Sequence, residues 1–164
     1  MESERLRYSE LKPEHLHSFH RLVQDEHVRR YLMDGQVLPI QWSAECVRNS
    51  GLLFERRAVG IWLVNDKATD DLVGFCGFLE MAMVHAEPQL VYAMFQKFTG
   101  KGFATEMART VVAEARQHGF ATILASVDEV NVPSFRVLEN LGFKRIETMQ
   151  GAFGNMFLLR LEGA

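Results

Sequence analysis

The sequence contains little cysteine and has no excess of positive charge. Its two cysteines, Cys46 and Cys76, lie far apart and show no Cys-x-x-Cys or mixed His/Cys spacing, so we expect neither a disulfide framework nor a structural zinc site. The net charge is -3 and the isoelectric point about 6.1. A chain with this balance lacks the broad basic surface that binds nucleic acid by phosphate neutralisation. We therefore expect no nucleic-acid partner.

Long apolar runs and low-complexity tracts are also missing. No apolar run approaches membrane-spanning length, and the first residues, Met1-Glu2-Ser3-Glu4, are acidic, so we expect neither a membrane anchor nor a signal peptide. These features predict a cytoplasmic protein. The 164 residues, 48% of them apolar, suffice for one hydrophobic core of ordinary size. We expect a single domain over residues 1–164.

Apolar spacing and turn residues predict an alternation of strands and helices. The pattern predicts five helical or strand segments before the middle of the chain: a strand at 6–8, a helix from Pro13 that continues with a break toward 32, a helix over 41–57, and a hairpin of strands at 59–65 and 72–81. It predicts a further series after them: a strand at 89–96, a helix that ends at Gly119, a strand at 121–127, a helix over 131–141, and a closing hairpin at 143–148 and 154–161.

The segment Thr99-Gly100-Lys101-Gly102-Phe103-Ala104-Thr105 joins the predicted strand at 89–96 directly to a helix. Glycines allow a tight turn that presents backbone N–H groups outward, and the first turn of a helix adds unpaired donors and the positive end of the helix dipole. Such a turn binds anions, phosphate above all. A mononucleotide site is the weaker interpretation, because the Gly-Lys-Ser/Thr ending that binds magnesium with the phosphates is missing.

A second motif follows about thirty residues later. It consists of Asn131-Val132-Pro133-Ser134 and a helix that ends in Leu141-Gly142-Phe143. Together, the two motifs resemble the GNAT superfamily of acyl-CoA-dependent N-acetyltransferases, most closely the branch that acetylates the N-termini of ribosomal proteins. That family's pyrophosphate loop, Gln/Arg-x-x-Gly-x-Gly/Ala, corresponds to Thr99-x-x-Gly102-x-Ala104, with threonine in place of the usual first residue.

The resemblance implies an α+β fold: a mixed, mostly antiparallel sheet of six to seven strands, flanked by about four helices and splayed between its two central strands. It also implies acetyl-CoA as co-substrate and no metal. The implied coenzyme A contacts lie on the central strand, the glycine turn and the second motif: Met94, Phe95, Gln96, Thr99, Gly100, Lys101, Gly102, Phe103, Ala104, Thr105, Asn131 and Ser134.

The resemblance further implies direct transfer of a short acyl group to a primary amine within a ternary complex. A backbone N–H of Met94 or Phe95 is expected to stabilise the oxyanion. The tyrosine that relatives place near the sulfur is replaced by Leu138, so that role is carried over to Ser134, whose hydroxyl could equally serve to cap the helix.

A general base is harder to assign from the sequence. Glu80 is the first choice among three candidates near the strand that precedes the cofactor strand, the others being Glu87 and His85. A noncatalytic acyl-CoA-binding or regulatory module on the same fold is the alternative function. The expected partner is an amine acceptor, either a small molecule or a protein N-terminus, and a homodimer is compatible with the resemblance.

Overall fold

The computed structural model describes residues 1–32, 34–80 and 87–163. Its strands and helices follow one another in the order β1 (Leu6–Glu10), α1 (Leu16–Gln24), α2 (Glu26–Leu32), α3 (Ile40–Arg57), β2 (Ile61–Asp66), β3 (Leu72–Leu79), β4 (Gln89–Met94), α4 (Phe103–Gln117), β5 (Thr122–Asp128), α5 (Val132–Asn140), β6 (Lys144–Gly151) and β7 (Gly154–Glu162). Short 3-10 helices at Pro13–His15 and Gln96–Phe98 complete the described elements.

The described strands form one seven-stranded sheet in the order β1-β2-β3-β4-β5-β7-β6. Every neighbouring pair is antiparallel except β4 and β5, which run parallel. In the described residues these two central strands share a single register pair, Gln89 with Leu124. The α+β architecture and the splayed centre that the resemblance implied are therefore confirmed.

Two apolar clusters lie on opposite faces of the sheet. One joins α4 and α5 to the sheet and includes Met107, Val111 and Leu138, whereas the other joins the N-terminal helices and includes Phe19 and Val47. Successive side chains of a strand alternate between faces. This alternation divides the β4 side chains between the two clusters and leaves the backbone of β4 at the centre of the molecule.

Helix α4 forms because its apolar side chains recur every three or four residues. Phe103, Met107, Ala108, Val111 and Ala115 are all buried, which gives the helix one continuous apolar face. The helix ends where Gly119 adopts a left-handed φ of +85°, as the glycine just past the predicted helix indicated.

The N-terminal helical segment divides more sharply than the sequence predicts. Asp25 adopts an extended ψ of 133° after α1, and its Oδ1 accepts hydrogen bonds from the N–H groups of His27 and Val28 at 3.0 and 3.2 Å. An aspartate in this position starts a new helix. The described residues therefore contain five α-helices rather than the expected four or so.

Candidate active site

The gap between β4 and β5 exposes part of the β4 backbone. In an antiparallel pair, alternate residues direct their N–H groups to opposite sides, and the Phe95 N–H donates to the Val73 carbonyl at 3.0 Å. The preceding N–H, that of Met94, therefore points toward β5, where the strands have already separated. Of the two residues expected to supply an oxyanion donor, Phe95 has its N–H engaged and Met94 has the required direction.

The glycine turn follows β4 after the 3-10 helix Gln96–Phe98 and lies at the start of α4. Gly100 and Gly102 adopt φ values of +73° and +80°, which residues with a Cβ rarely adopt. A Cβ built at Gly100 would meet no heavy atom within 4 Å, and one at Gly102 would come no closer than 3.5 Å to an Arg5 nitrogen. The space at Gly100 is therefore open, whereas the Cβ direction at Gly102 faces Arg5.

Backbone donors surround this open space. The first hydrogen bond of α4 runs from the Glu106 N–H to the Gly102 carbonyl, so the N–H groups of Phe103, Ala104 and Thr105 precede the intrahelical series. Gly102 is the N-cap and offers no capping side chain. Open space together with unpaired donors and the positive end of a 15-residue helix fits a pyrophosphate group.

Arg5 supports the turn from behind, a contact that the sequence analysis missed. Its Nη1 donates to the Lys101 carbonyl at 2.9 Å, and its Nε and backbone N–H donate to the Glu106 carboxylate at 2.7 and 2.8 Å. Because a trans peptide directs its C=O and N–H to opposite sides, the Gly102 N–H faces away from Arg5. Arg5 therefore orients a backbone donor toward the open space.

Glu106 is held ionised by this contact. Burial opposes its charge, but the Arg5 N–H, the Ser3 hydroxyl and the Arg5 guanidinium together outweigh burial and lower the pKa of the Glu106 carboxyl. The Arg5 guanidinium also lies 4.4 Å from the centre of the Phe103 ring. The first strand is thus tied to the first turn of α4 by charge and by packing.

The other residues of the turn have less specific surroundings. The Thr99 hydroxyl donates to the Gln96 carbonyl at 2.8 Å. Its oxygen can therefore only accept a hydrogen bond from a ligand. Gln96, Thr99 and Lys101 are exposed, and the Lys101 Nζ lies 5.6 Å from the Phe98 ring. Ala104 and Thr105 are half-buried on the first turn of α4.

Ser134 lies across the gap, on the first turn of α5. Asn131 caps this helix by accepting a hydrogen bond from the Ser134 N–H at 3.2 Å, so the Asn131 side chain is engaged within the protein. The Ser134 Oγ lies 2.8 Å from the hydroxyl oxygen of Tyr92, which also donates to the Ser134 carbonyl at 3.0 Å. Burial raises the pKa of Tyr92 above its ordinary range, and the Ser134 hydroxyl partly offsets this effect. Leu138 is buried in the core.

The structure does not bring Glu80 to this site. Glu80 follows Leu79, which pairs with Gln89, the first residue of β4, whereas Met94 is the last residue of β4. At about 3.3 Å per residue, Glu80 and Met94 therefore lie about 17 Å apart along the sheet. The Glu80 carboxylate instead contacts Arg56 at 3.2 Å.

Glu87 precedes β4 at this same distant end of the sheet and contacts Arg57 at 2.8 Å. His85 lies outside the described residues. Neither of the two predicted bases that the structure describes, Glu80 and Glu87, therefore lies beside Met94.

Another carboxyl group lies at the same end of the central strands as the glycine turn. Asp128 is the last residue of β5, and burial, together with the negative charge of Asp34, raises the pKa of its carboxyl. The two open surface cavities that share His118 lie elsewhere, because His118 follows the C-terminal end of α4, about 22 Å from the glycine turn.

Over the described ranges, no helix combines the length and apolarity needed to cross a bilayer. The same ranges contain no group of three or more His, Cys, Asp or Glu side chains arranged to hold a metal ion.

Comparison with known families identifies the fold. Residues 5–144 match the family model described as an acetyltransferase (GNAT) domain, and this span includes the glycine turn and Ser134. The chain belongs to the GNAT acetyltransferase family. Among curated relatives, the uncharacterized N-acetyltransferase p20 of Bacillus licheniformis is 30% identical over 84 residues, which cover 48% of this chain and 45% of p20.

A second relative, the uncharacterized N-acetyltransferase YoaA of Bacillus subtilis (strain 168), is 23% identical over 146 residues, or 88% of this chain and 82% of YoaA. The chain spans about half the length of the first two curated relatives it matches, 45% and 55%.

Solved structures of GNAT proteins superpose on nearly the whole chain. A GNAT-family acetyltransferase from Bordetella pertussis gives a TM-score of 0.85 at 18% identity and covers 98% of this chain and 97% of its own. RimL, the ribosomal L7/L12 alpha-N-protein acetyltransferase, in complex with coenzyme A gives 0.81 at 16% identity, with 98% and 96% covered. At these identities the likeness establishes the shared fold.

Proposed function

We propose that this protein is an N-acetyltransferase that moves an acetyl or similar short acyl group from acyl-CoA to a primary amine, by direct attack within a ternary complex. The observation that carries the proposal is the left-handed glycine turn at the start of α4, which follows the splayed end of β4 after one short 3-10 helix. Family membership supports the same conclusion.

The turn would hold the pyrophosphate of coenzyme A. Its donors are the backbone N–H groups from Gly100 to Ala104, and the α4 dipole adds a favourable field. A position without a Cβ lets phosphate oxygens approach the main chain closely, and the open space at Gly100 would provide that approach. Arg5 contributes by fixing the Lys101 peptide from behind.

The splayed β4 backbone would hold the pantetheine arm. Peptide-like amides of a ligand can join an exposed strand edge as an added strand, and the segment from Ala93 to Gln96 borders the gap. Within this segment, the Met94 N–H would stabilise negative charge developing on the thioester oxygen. A well-aimed donor of this kind contributes about 3 to 4 kcal/mol to barrier lowering.

Bound acetyl-CoA supplies an acyl thioester, and the departing sulfur needs a hydrogen-bond donor. Ser134 provides the hydroxyl on the opposite side of the gap, at the start of α5. An α-amine with a pKa of about 8 loses its proton with modest help, whereas a lysine amine near 10.4 requires more.

We infer that the acceptor is a primary amine, either a small molecule or a protein N-terminus. The structural neighbour RimL is a ribosomal L7/L12 alpha-N-protein acetyltransferase, which supports including peptides with free N-termini among the acceptors tested. We also infer action in a reducing compartment such as the cytoplasm, because Cys46 and Cys76 are free and buried.

The test is thiol release from acetyl-CoA in the presence of an amine panel. The panel should contain N-terminal peptides, polyamines, amino sugars and free amino acids. We expect thiol release that depends on one class of amine and a mass increase of one acetyl group on that amine. Tight binding of acetyl-CoA with no amine-dependent thiol release from any class would contradict the enzyme proposal and support a noncatalytic acyl-CoA-binding module.

A further inference from the structure

Tyr92 and Ser134 form a polar side-chain contact that joins the two sides of the central gap. Tyr92 lies on β4 and Ser134 on α5, 42 residues later, with 2.8 Å between the hydroxyl oxygens. Both residues are half-buried. Because the Tyr92 ring packs against the core cluster that includes Met94 and Leu138, its hydroxyl has a fixed position beside the site of chemistry.

The hydrogens of this pair have two arrangements. A tyrosine hydroxyl carries one hydrogen, and a carbonyl can only accept. When Tyr92 donates to the Ser134 carbonyl, 3.0 Å away, the Ser134 hydroxyl donates to Tyr92 and has no hydrogen for another partner. When Tyr92 donates to the Ser134 Oγ instead, the Ser134 hydrogen becomes available to a ligand in the gap.

We propose that Tyr92 is a positioning residue for acyl transfer: it donates its hydrogen to the Ser134 Oγ and thereby directs the Ser134 hydrogen toward the departing sulfur. This inference rests on the proposed function. Hydrogen bonds in a chain polarise one another, so the Tyr92 donation makes Ser134 a stronger donor than an isolated serine.

The atoms and charges balance without an additional reactant. A C–N bond forms between the amine and the acyl carbon, and the C–S bond breaks with its electron pair on sulfur. The amine gives its proton to solvent, and the thiolate takes a proton from solvent after release. Ser134 and Tyr92 keep their own hydrogens throughout and stabilise the thiolate only by hydrogen bonding.

The surroundings of Tyr92 support a positioning role rather than acid catalysis. Burial raises the pKa of the Tyr92 phenol, whereas a free thiol has a pKa of about 8.5. Transfer of a proton from the phenol to the thiolate is therefore unfavourable. The phenol stays protonated over the working pH range and remains a constant hydrogen-bond donor.

The first test is Tyr92→Phe, which removes the hydroxyl and keeps the ring. We expect a single-turnover acyl-transfer rate about fivefold lower with an unchanged affinity for acetyl-CoA, since one neutral hydrogen bond is lost. Tyr8→Phe is the matched control, because Tyr8 belongs to the same apolar cluster against which Tyr92 packs and its hydroxyl also lies near a serine, 3.3 Å from the Ser3 Oγ. The control should keep the wild-type rate.

A double-mutant cycle separates positioning from a general structural effect. Ser134→Ala should lower the rate more than Tyr92→Phe, and the double variant should be no slower than Ser134→Ala alone, because the Tyr92 hydroxyl acts through Ser134. Independent losses that multiply in the double variant would overturn the proposal.

Two further measurements do not depend on turnover. The ultraviolet absorbance of the thiolate reports the pKa of coenzyme A bound to the protein, and we expect this pKa to be higher in Tyr92→Phe and Ser134→Ala than in the wild type. The chain has three tyrosines, so Cζ-labelled tyrosine gives a simple NMR spectrum of the wild-type complex. The Tyr92 signal should shift at the pH where the thiol ionises, while the Tyr8 signal stays constant.

The outcomes separate this inference from the proposed function. If the wild-type protein transfers acyl groups and Tyr92→Phe has the same transfer rate and the same pKa of the bound thiol, only the role of Tyr92 would be overturned. If the wild-type protein binds coenzyme A and shifts the pKa of the coenzyme A thiol but transfers no acyl group, the enzymatic function would be contradicted. The hydrogen bond from the Tyr92–Ser134 pair to the sulfur would still be supported.

Discussion

The open glycine turn leads to a prediction with a control on the same helix. Gly100 and Gly119 adopt φ values of +73° and +85° at opposite ends of α4, and a Cβ built at either would meet no heavy atom within 4 Å. Glutamate at either position therefore pays the same left-handed strain, about 1–2 kcal/mol. The two variants differ in whether the new carboxylate faces the proposed pyrophosphate.

The expected loss of affinity follows from that one difference. Two unit charges 4 Å apart near a protein surface repel by about 4 kcal/mol, which corresponds to about a thousandfold in affinity. A glutamate side chain can rotate partly away, and salt screens the remainder. We therefore expect Gly100→Glu to weaken coenzyme A binding at least about a hundredfold, and Gly119→Glu to leave it unchanged.

Calorimetric titration with coenzyme A measures the affinity, and thermal unfolding measures the shared strain. The two variants should unfold at similar temperatures. If Gly100→Glu and Gly119→Glu bind coenzyme A with equal affinity, the placement of the pyrophosphate would be refuted. Gly102→Glu should also abolish binding, but it is the less clean test because an Arg5 nitrogen lies 3.5 Å from the new Cβ and could pair with the carboxylate.

Three other predictions concern stability. Glu106→Gln should cost about 1–2 kcal/mol at neutral pH, a value reduced for the exposure of Arg5. Because the folded pKa of Glu106 is lowered, its contribution is present above the unfolded pKa of about 4.3 and is lost as the pH falls through the folded pKa; urea unfolding at several pH values measures it. The pKa of Asp128 is raised in the folded protein, so its negative charge destabilises the folded state at neutral pH. Asp128→Asn should therefore raise the unfolding temperature at neutral pH, and this gain should vanish below about pH 4. Gly74→Ala and Gly77→Ala should both lower the unfolding temperature, because each Cβ would lie 2.7 Å or less from backbone atoms of a neighbouring segment, Ala93 and Met94 for Gly74 and Gly60 and Ile61 for Gly77. Only Gly74→Ala, beside the proposed oxyanion donor, should also slow acyl transfer.

Local sequence patterns predicted most of the fold. Strand β5 is a nearly continuous apolar run, as expected for a strand buried on both faces, and α4 carries its apolar residues at helical spacing. The start of α5 was predictable for the same reason, because Asn131 and Pro133 favour the first turn of a helix. Each of these signals depends on neighbours within a few residues.

Contacts between distant segments were not predictable from those patterns. Arg5 contacts Glu106 across 101 residues and Tyr92 contacts Ser134 across 42. Nothing in the spacing of either pair indicates the contact, since it depends on how strands and helices pack. Both contacts nevertheless determine the geometry of the candidate site.

The position of Glu80 could have been excluded by a simple topological argument. Residues that precede a strand and residues that follow it lie at opposite ends of that strand. The glycine turn follows β4, so the segment before β4, which includes Glu80 and Glu87, lies at the opposite end of the sheet. Asp128 ends the strand parallel to β4 and therefore lies at the same end as the turn.

The central claim is that the start of α4 binds the diphosphate of coenzyme A while its sulfur reaches the gap between β4 and β5. A crystal structure of the complex with coenzyme A tests this claim most directly. We expect phosphate oxygens within hydrogen-bond distance of the Gly102 and Ala104 N–H groups, and a sulfur atom between Met94 and Ser134. Coenzyme A bound at another surface, with the turn at Gly100 free of phosphate, would contradict it.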